Sequence, residues 1–166
     1  MASELKVPGF MQDINIFVSS IGHLGVSESV ELPKIAFSRE SKNAGGFEQE
    51  VKVGTFEKMD CKLVIEEYSS NVMEAITDND AASFVIKGSV SQGGKSVPAV
   101  ATIRGDFDTD FGSWKAKEAV KQTIEIKVKF FELEINGVQY VQIDTKNMIA
   151  KINGTDVLAD LRANIQ

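Results

Sequence analysis

Cysteine, histidine and tryptophan occur once each in these 166 residues, and proline only three times. A lone Cys61 excludes an intramolecular disulfide, and a lone His23 excludes a metal site built from several histidines. His23 is also the one candidate base for any Ser-His-Asp arrangement. Basic residues are scarce, 18 against 24 acidic, for a net charge of −6. That is the wrong sign for an ordinary nucleic-acid binder. No stretch is apolar for long enough to cross a bilayer, and Met1 to Gly9 hold no run of signal-peptide length. The expectation is a soluble protein, cytoplasmic as made. What is present is ordinary: 43% hydrophobic and 25% charged residues. One domain over residues 1–166 is expected, burying roughly 68–70% of its unfolded surface with no metal or crosslink.

Period-two alternation runs through most of the chain. Ile14, Ile16 and Val18 share one face of a first strand, and Val30 and Leu32 one face of a second. Pro33 shifts the apolar phase to Ile35 and Phe37, as at an edge or bulge, because proline cannot donate to a ladder. The polar stretch Ser38 to Phe47, containing Gly45-Gly46, reads as a long loop. Alternation resumes over Gln49 to Thr55, then through Met59, Cys61, Leu63 and Ile65. The clearest hairpin joins Ala82–Val90 to Val97–Ile103 through the turn Gln92-Gly93-Gly94-Lys95. A second has Ile124, Ile126, Val128 and Phe130 in phase, slips at Phe130-Phe131, and turns at Asn136-Gly137 into Val138–Ile143. The slip predicts a bulge. Helical spacing appears in Tyr68, Val72, Ala75 and Ile76, with Ser69 or Ser70 as cap. It recurs in Val157, Leu158, Leu161 and Ile165, with Thr155 or Asp156 as cap. Ser113 to Gln122 is ambiguous between helix and strand. The total is roughly eight strands and two short helices: a mainly β chain of two packed antiparallel sheets, sandwich or barrel, with one or two flanking helices.

Several partial motifs fail on inspection. Asp106, Asp108 and Asp110 resemble the start of a calcium loop, but glycine falls one position late at Gly112, and Lys117 stands where the closing glutamate belongs. A solvated acidic loop is the simpler reading. Gly94-Lys95-Ser96 ends like a phosphate-binding loop, yet Gly88 is too distant and no helix follows. Asn153-Gly154-Thr155 fits a glycosylation triplet without a secretory signal. His23, between Gly22 and Leu24, reads as a surface turn residue, and Cys61 as a small core residue. Trp114 suits either an interface or the core. No catalytic constellation and no cofactor site emerges, and the chain is expected not to be an enzyme.

The final third carries a resemblance. Phe130-Phe131-Glu132-Leu133-Glu134-Ile135-Asn136-Gly137 is followed by Val141-Gln142-Ile143-Asp144-Thr145-Lys146-Asn147-Met148-Ile149. Ile152-Asn153-Gly154-Thr155-Asp156-Val157-Leu158 and Leu161-Arg162-Ala163-Asn164-Ile165 complete the run. Together these look like the major tail tube protein of contractile-tailed phages, to which the tubes of R-type pyocins are related. Asn15-Ile16-Phe17, Val30-Glu31-Leu32-Pro33-Lys34-Ile35, Ala44-Gly45-Gly46, Val97-Pro98-Ala99-Val100-Ala101-Thr102-Ile103-Arg104-Gly105 and Trp114-Lys115 keep that family's order.

The resemblance implies a structural subunit. Such proteins form hexameric rings, their sheets joining into one β-barrel around a lumen, and the rings stack into a tube inside a contractile sheath. The implied partners are further copies of the chain, the sheath, and the tape-measure and baseplate or initiator proteins. DNA would pass transiently without specific binding, with no membrane anchoring. The implied location is the virion tail, assembled in the host cytoplasm. The family's long loop contacts the neighbouring ring, which assigns ring stacking to Lys42, Asn43, Ala44, Gly45, Gly46 and Phe47. Physics accommodates this: ring formation closes open sheet edges, and a head-to-tail contact closes when its rotation fits. Six copies at −6 carry −36 per ring, which suits a sliding polyanion, although Lys121, Lys127 and Lys129 lie close together. A tube of a related secretion or injection system is the alternative. A small-ligand-binding barrel, or a hydrolase or metal enzyme at the acidic run, stands further behind.

Overall fold

Alternating side chains put one row of each strand in a core and the other in solvent. The computed structural model, which describes residues 5–77 and 82–166, is built mostly from such strands. In chain order they are β1 (Phe10–Val18), β2 (Ile21–Gly22), β3 (Ser27–Glu31), β4 (Phe37–Ala44), β5 (Phe47–Phe56), β6 (Asp60–Ile65), the helix α1 (Ser70–Thr77), β7 (Ser83–Gln92), β8 (Lys95–Asp110), β9 (Gln122–Ile135), β10 (Val138–Asp144), β11 (Ile149–Ile152), β12 (Thr155–Asp156) and the helix α2 (Ala159–Ile165). Ten strands form one antiparallel sheet in the order β12-β11-β10-β9-β8-β7-β1-β2, with β6 joined to β9 and β3 to β6. β4 and β5 pair only with each other.

The organising feature is the long β8–β9 pair. Arg104 faces Phe130, but the next residue, Gly105, faces Val128, so Lys129 is extra. This is the bulge that the slip at Phe130-Phe131 predicts. Before it, β9 pairs with β6 through Gln122–Lys127; beyond it, the same edge pairs with β10 through Phe130–Ile135. Phe130 turns outward beneath the Arg104 guanidinium, 4.7 Å from its ring centre, while Phe131 is buried. A Cβ on Gly105 would lie 2.0 Å from the Lys127 carbonyl oxygen, so only glycine lets the two backbones approach here.

The large sheet thereby folds onto itself around one core. Ile16 and Val18 of β1, Phe84 of β7, Ile103 of β8 and Phe131 of β9 supply one half, and Leu63, Ile65, Phe107, Ile124 and Ile126 the other. Phe84 and Phe107 meet edge to face across it, 5.3 Å apart. α1 buries Val72 and Ala75, and the Asn71 side-chain amide donates to the Val18 carbonyl at 3.0 Å. The fold is therefore mainly β, with two sheets and two short helices. The sandwich expected of two packed sheets is formed instead by the two halves of one bent sheet.

Three local expectations are corrected. The chain from Ser38 to Phe47 is not an irregular loop: it is β4, a two-residue turn and the first residue of β5. Pro33 is not a bulge inside a continuing strand: it is buried just past the end of β3, and Ile35 belongs to no strand. β3 is an edge strand paired with β6, which agrees with the edge alternative. Asp106, Asp108 and Asp110 lie within β8 rather than on a loop. Ser113–Lys121 is neither helix nor strand, and β9 begins at Gln122.

Candidate functional site

The β4–β5 hairpin projects from the core. Lys42, Asn43 and Ala44 end β4, Gly45 and Gly46 make the turn with φ of 61° and 80°, and Phe47 begins β5. Two consecutive left-handed residues define a tight hairpin turn that only glycine or a short polar residue adopts readily. Every residue from Arg39 to Thr55 is exposed. Cross-strand pairing places Ala44 with Phe47, and Glu40 with Val51, on one face. Phe47 is 71% exposed, and Val51 and Val53 are also open to solvent. An isolated hairpin of this kind is marginal in water. Its base is fastened by Phe37 stacking on Phe56 at 4.7 Å, with the Lys52 ammonium 4.2 Å from the Phe37 ring centre.

The sheet margins are the second feature. Among the described residues β1 is paired on its outer side only at Phe17 and Val18, which leaves Phe10–Asn15 without a described strand partner there. Among the described residues β8 pairs beyond Arg104 with β9 alone, so no described strand lies on the other side of Gly105–Asp110. β3 pairs only with β6, and the opposite margin ends in the two-residue β12. Among the described residues the sheet does not close into a barrel.

Charges beside the bulge are mostly matched. Lys127 Nζ lies 3.4 Å from Asp60, and Lys129 Nζ 3.1 Å from Asp106. Lys121, which precedes β9, lies 2.9 Å from Glu28, and that hydrogen bond raises the lysine pKa. Asp108 and Glu125 face each other across the β8–β9 ladder with no ion-pair partner among the described residues. Like charges so placed repel. The aspartates of β8 follow one another at every second residue along a strand, and Asp106 engages Lys129, so the three do not converge on one ion.

The remaining singled-out residues divide. Cys61 is buried, and burial together with the nearby Glu31 charge pushes its thiol up to about 12, which suits an inert core residue. Gly94-Lys95-Ser96 forms the β7–β8 hairpin, and Asn153-Gly154 turns β11 into β12. His23 is not a surface residue: it is 3% exposed, and its Nδ1 bonds the Glu67 carboxylate. Sequence reading missed this pair because its members stand far apart along the chain. Trp114 is not in the core. It is 80% exposed, and its indole N–H donates to the Tyr68 hydroxyl at 2.7 Å, which donates to the Phe111 carbonyl at 2.6 Å.

The largest of the described cavities is an open groove of about 530 Å³ beside α2. A private enclosed pocket, which a ligand-binding barrel needs, is not what this groove provides. Asp156 anchors the helix: Arg162 Nη1 donates to it at 2.9 Å and also to the Met148 carbonyl at 2.9 Å. The hydrogen bond from Arg162 holds the Asp156 carboxyl below the usual range.

Comparison with known proteins agrees with the resemblance seen in the sequence. The model of the family described as "Phage tail tube protein FII" matches residues 8–165. The "Tail tube protein" of Escherichia phage P2 is 30% identical over 172 residues, covering 97% of this chain and 99% of the relative. The chain belongs to the phage tail tube protein family.

Proposed function

We propose that this member of the tail tube family is the repeating subunit of the inner tube of a contractile phage tail or tailocin. Six copies close a ring, their sheets complete one barrel around a lumen, and the rings stack. The observation that carries this reading is the pairing of unfinished sheet margins with a projecting hairpin that buries nothing of its own. Open margins are an aggregation hazard in a free subunit, and joining copies edge to edge removes them. The hairpin tip, Lys42 to Phe47, supplies the stacking contact to the neighbouring ring. Its role is structural rather than catalytic, with no cofactor. The partners are further copies, the sheath, and the tape-measure and baseplate or initiator proteins. Assembly takes place in the host cytoplasm and ends in the virion.

A net-acidic subunit offers passing DNA little cationic grip, since each cationic contact adds affinity through counterion release. The Lys127 and Lys129 pairs with Asp60 and Asp106 support the same argument. Electron microscopy of the concentrated protein tests the proposal. Hollow tubes of stacked six-fold rings are expected. A protein that stays monomeric even with sheath, baseplate and initiator proteins present would overturn it.

A further inference from the structure

Among the described residues the segment before β1 leaves apolar side chains uncovered, and an apolar groove beside α2 stands open. Leu5 is fully exposed, and Val7, Phe10 and Met11 are each more than half exposed. Pro8 lacks the N–H needed to extend β1 backward, so the residues before it leave their own sheet. The Gln92 side-chain amide, donating to the Val7 carbonyl at 2.8 Å, holds the arm near the tip of the β7–β8 hairpin. The groove lies between α2 and the link from β5 to β6. Its floor is formed by Phe56, Met59, Val128, Met148, Leu158 and Leu161. α2 itself has no fully buried residue. Its apolar stripe therefore faces this space half covered.

The arm cannot fill the groove of its own subunit. From β1 to β10 is four strands across the sheet, about 19 Å at the usual strand spacing. The groove also lies level with Arg104 and Ser83, at the far end of β1 from Phe10. That adds about 27 Å along the strands. Leu5 reaches at most about 17 Å from Phe10. Lys6 stands between the two apolar residues. At the groove rim Lys127 and Lys129 are paired with Asp60 and Asp106, and the Asp144 carboxylate accepts from Lys146 and Asn147. Glu57 and Lys58 have no ion-pair partner among the described residues, so Glu57 is the anionic group open to Lys6.

We propose that the arm Leu5–Gly9 of one copy docks in the α2 groove of a second copy, with Leu5 and Val7 on the apolar floor and Lys6 against Glu57. The proposal rests on the tube reading and specifies one contact within it. Arm and groove are different surfaces near opposite margins of the sheet. Copies joined in one direction therefore form a head-to-tail series that closes into rings or extends into filaments, whereas reciprocal exchange of arms would end in a dimer.

The test is a disulfide trap with Val7→Cys and Leu161→Cys, singly and together. Both sites are solvent-accessible, so folding is checked by an unchanged melting temperature. Cys61 is buried and out of reach of a second thiol. In oxidised tubes the double variant is expected to run as reducible multimers on a denaturing gel, and neither single variant does so. Tubes of normal width with only monomers on the gel would overturn the docking and leave the tube reading standing. An intramolecular crosslink, seen as a faster monomer, would overturn it too. A parent chain that forms no tubes would remove both.

Discussion

The β8–β9 pair and the β4–β5 hairpin use the same antiparallel ladder to opposite ends. In β8–β9 every second residue enters the core, and the bulge at Lys129 lets one pair of strands serve both halves of the fold. In β4–β5 the ladder has seven paired positions against twelve in β8–β9, and no side chain beyond the base is buried. Burial contributes about 25 cal/mol per Å² of apolar surface, so the first pair holds its own shape while the second depends on its anchoring stack. The contrast separates residues that build the core from residues whose apolar surface stays exposed, among them Phe47, Val51 and Val53.

Truncation in the core gives the largest effect. Phe131→Ala should cost about 3–5 kcal/mol, the usual range for a buried phenylalanine, and denaturant titration reads it directly. A loss under 1 kcal/mol would show that the bend is not supported by this ring. Gly105→Val should cost about 3 kcal/mol, because a side chain there forces β8 off the Lys127 carbonyl. The far-ultraviolet spectrum should stay β-like while the unfolding midpoint falls.

α2 lies between the two extremes, and its anchor is sensitive to acid. Asp156 has a lower pKa in the folded chain than an ordinary aspartate. Its ionised form therefore adds stability at neutral pH, and that increment disappears as the pH falls through and below the ordinary aspartate range. Asp156→Asn should melt below the parent at pH 7, and the gap should close toward pH 3. A gap independent of pH would assign the anchoring to packing alone.

The smallest effect on stability belongs to the hairpin. Gly46→Val strains a residue at φ 80° with open space around it. The cost, about 1–2 kcal/mol, is confined to the tip, which opens independently of the core. The melting temperature should barely move, while tube formation seen by electron microscopy should fail. Normal tubes from this variant would sink the stacking role.

Local patterns were the legible part of the chain. Both strong hairpins lie where Gly93-Gly94 and Asn136-Gly137 mark them, and the slip at Phe130-Phe131 is the bulge it predicts. Ser38–Phe47 misled because hydrophobic periodicity reports burial rather than pairing, and a strand exposed on both faces has none to show. The same limit hid His23: its partner, Glu67, arrives only when β6 folds beside the first strands. The candidate stacking residues came from a resemblance between chains, since no periodic signal picks out an unburied tip.

Side-chain period, turn chemistry and charge are properties of neighbouring residues, so the sequence alone determined the half-buried strands, the tight turns, the bulge and the acidic balance, but not the exposed strand β4. Which strands meet was decided only in three dimensions. β6 and β10 share one edge of β9, and β4–β5 stands clear of the core, because those outcomes depend on how surfaces far apart in the chain compete for burial. The open margins are likewise a tertiary result, for a strand carries no local mark of the partner it lacks.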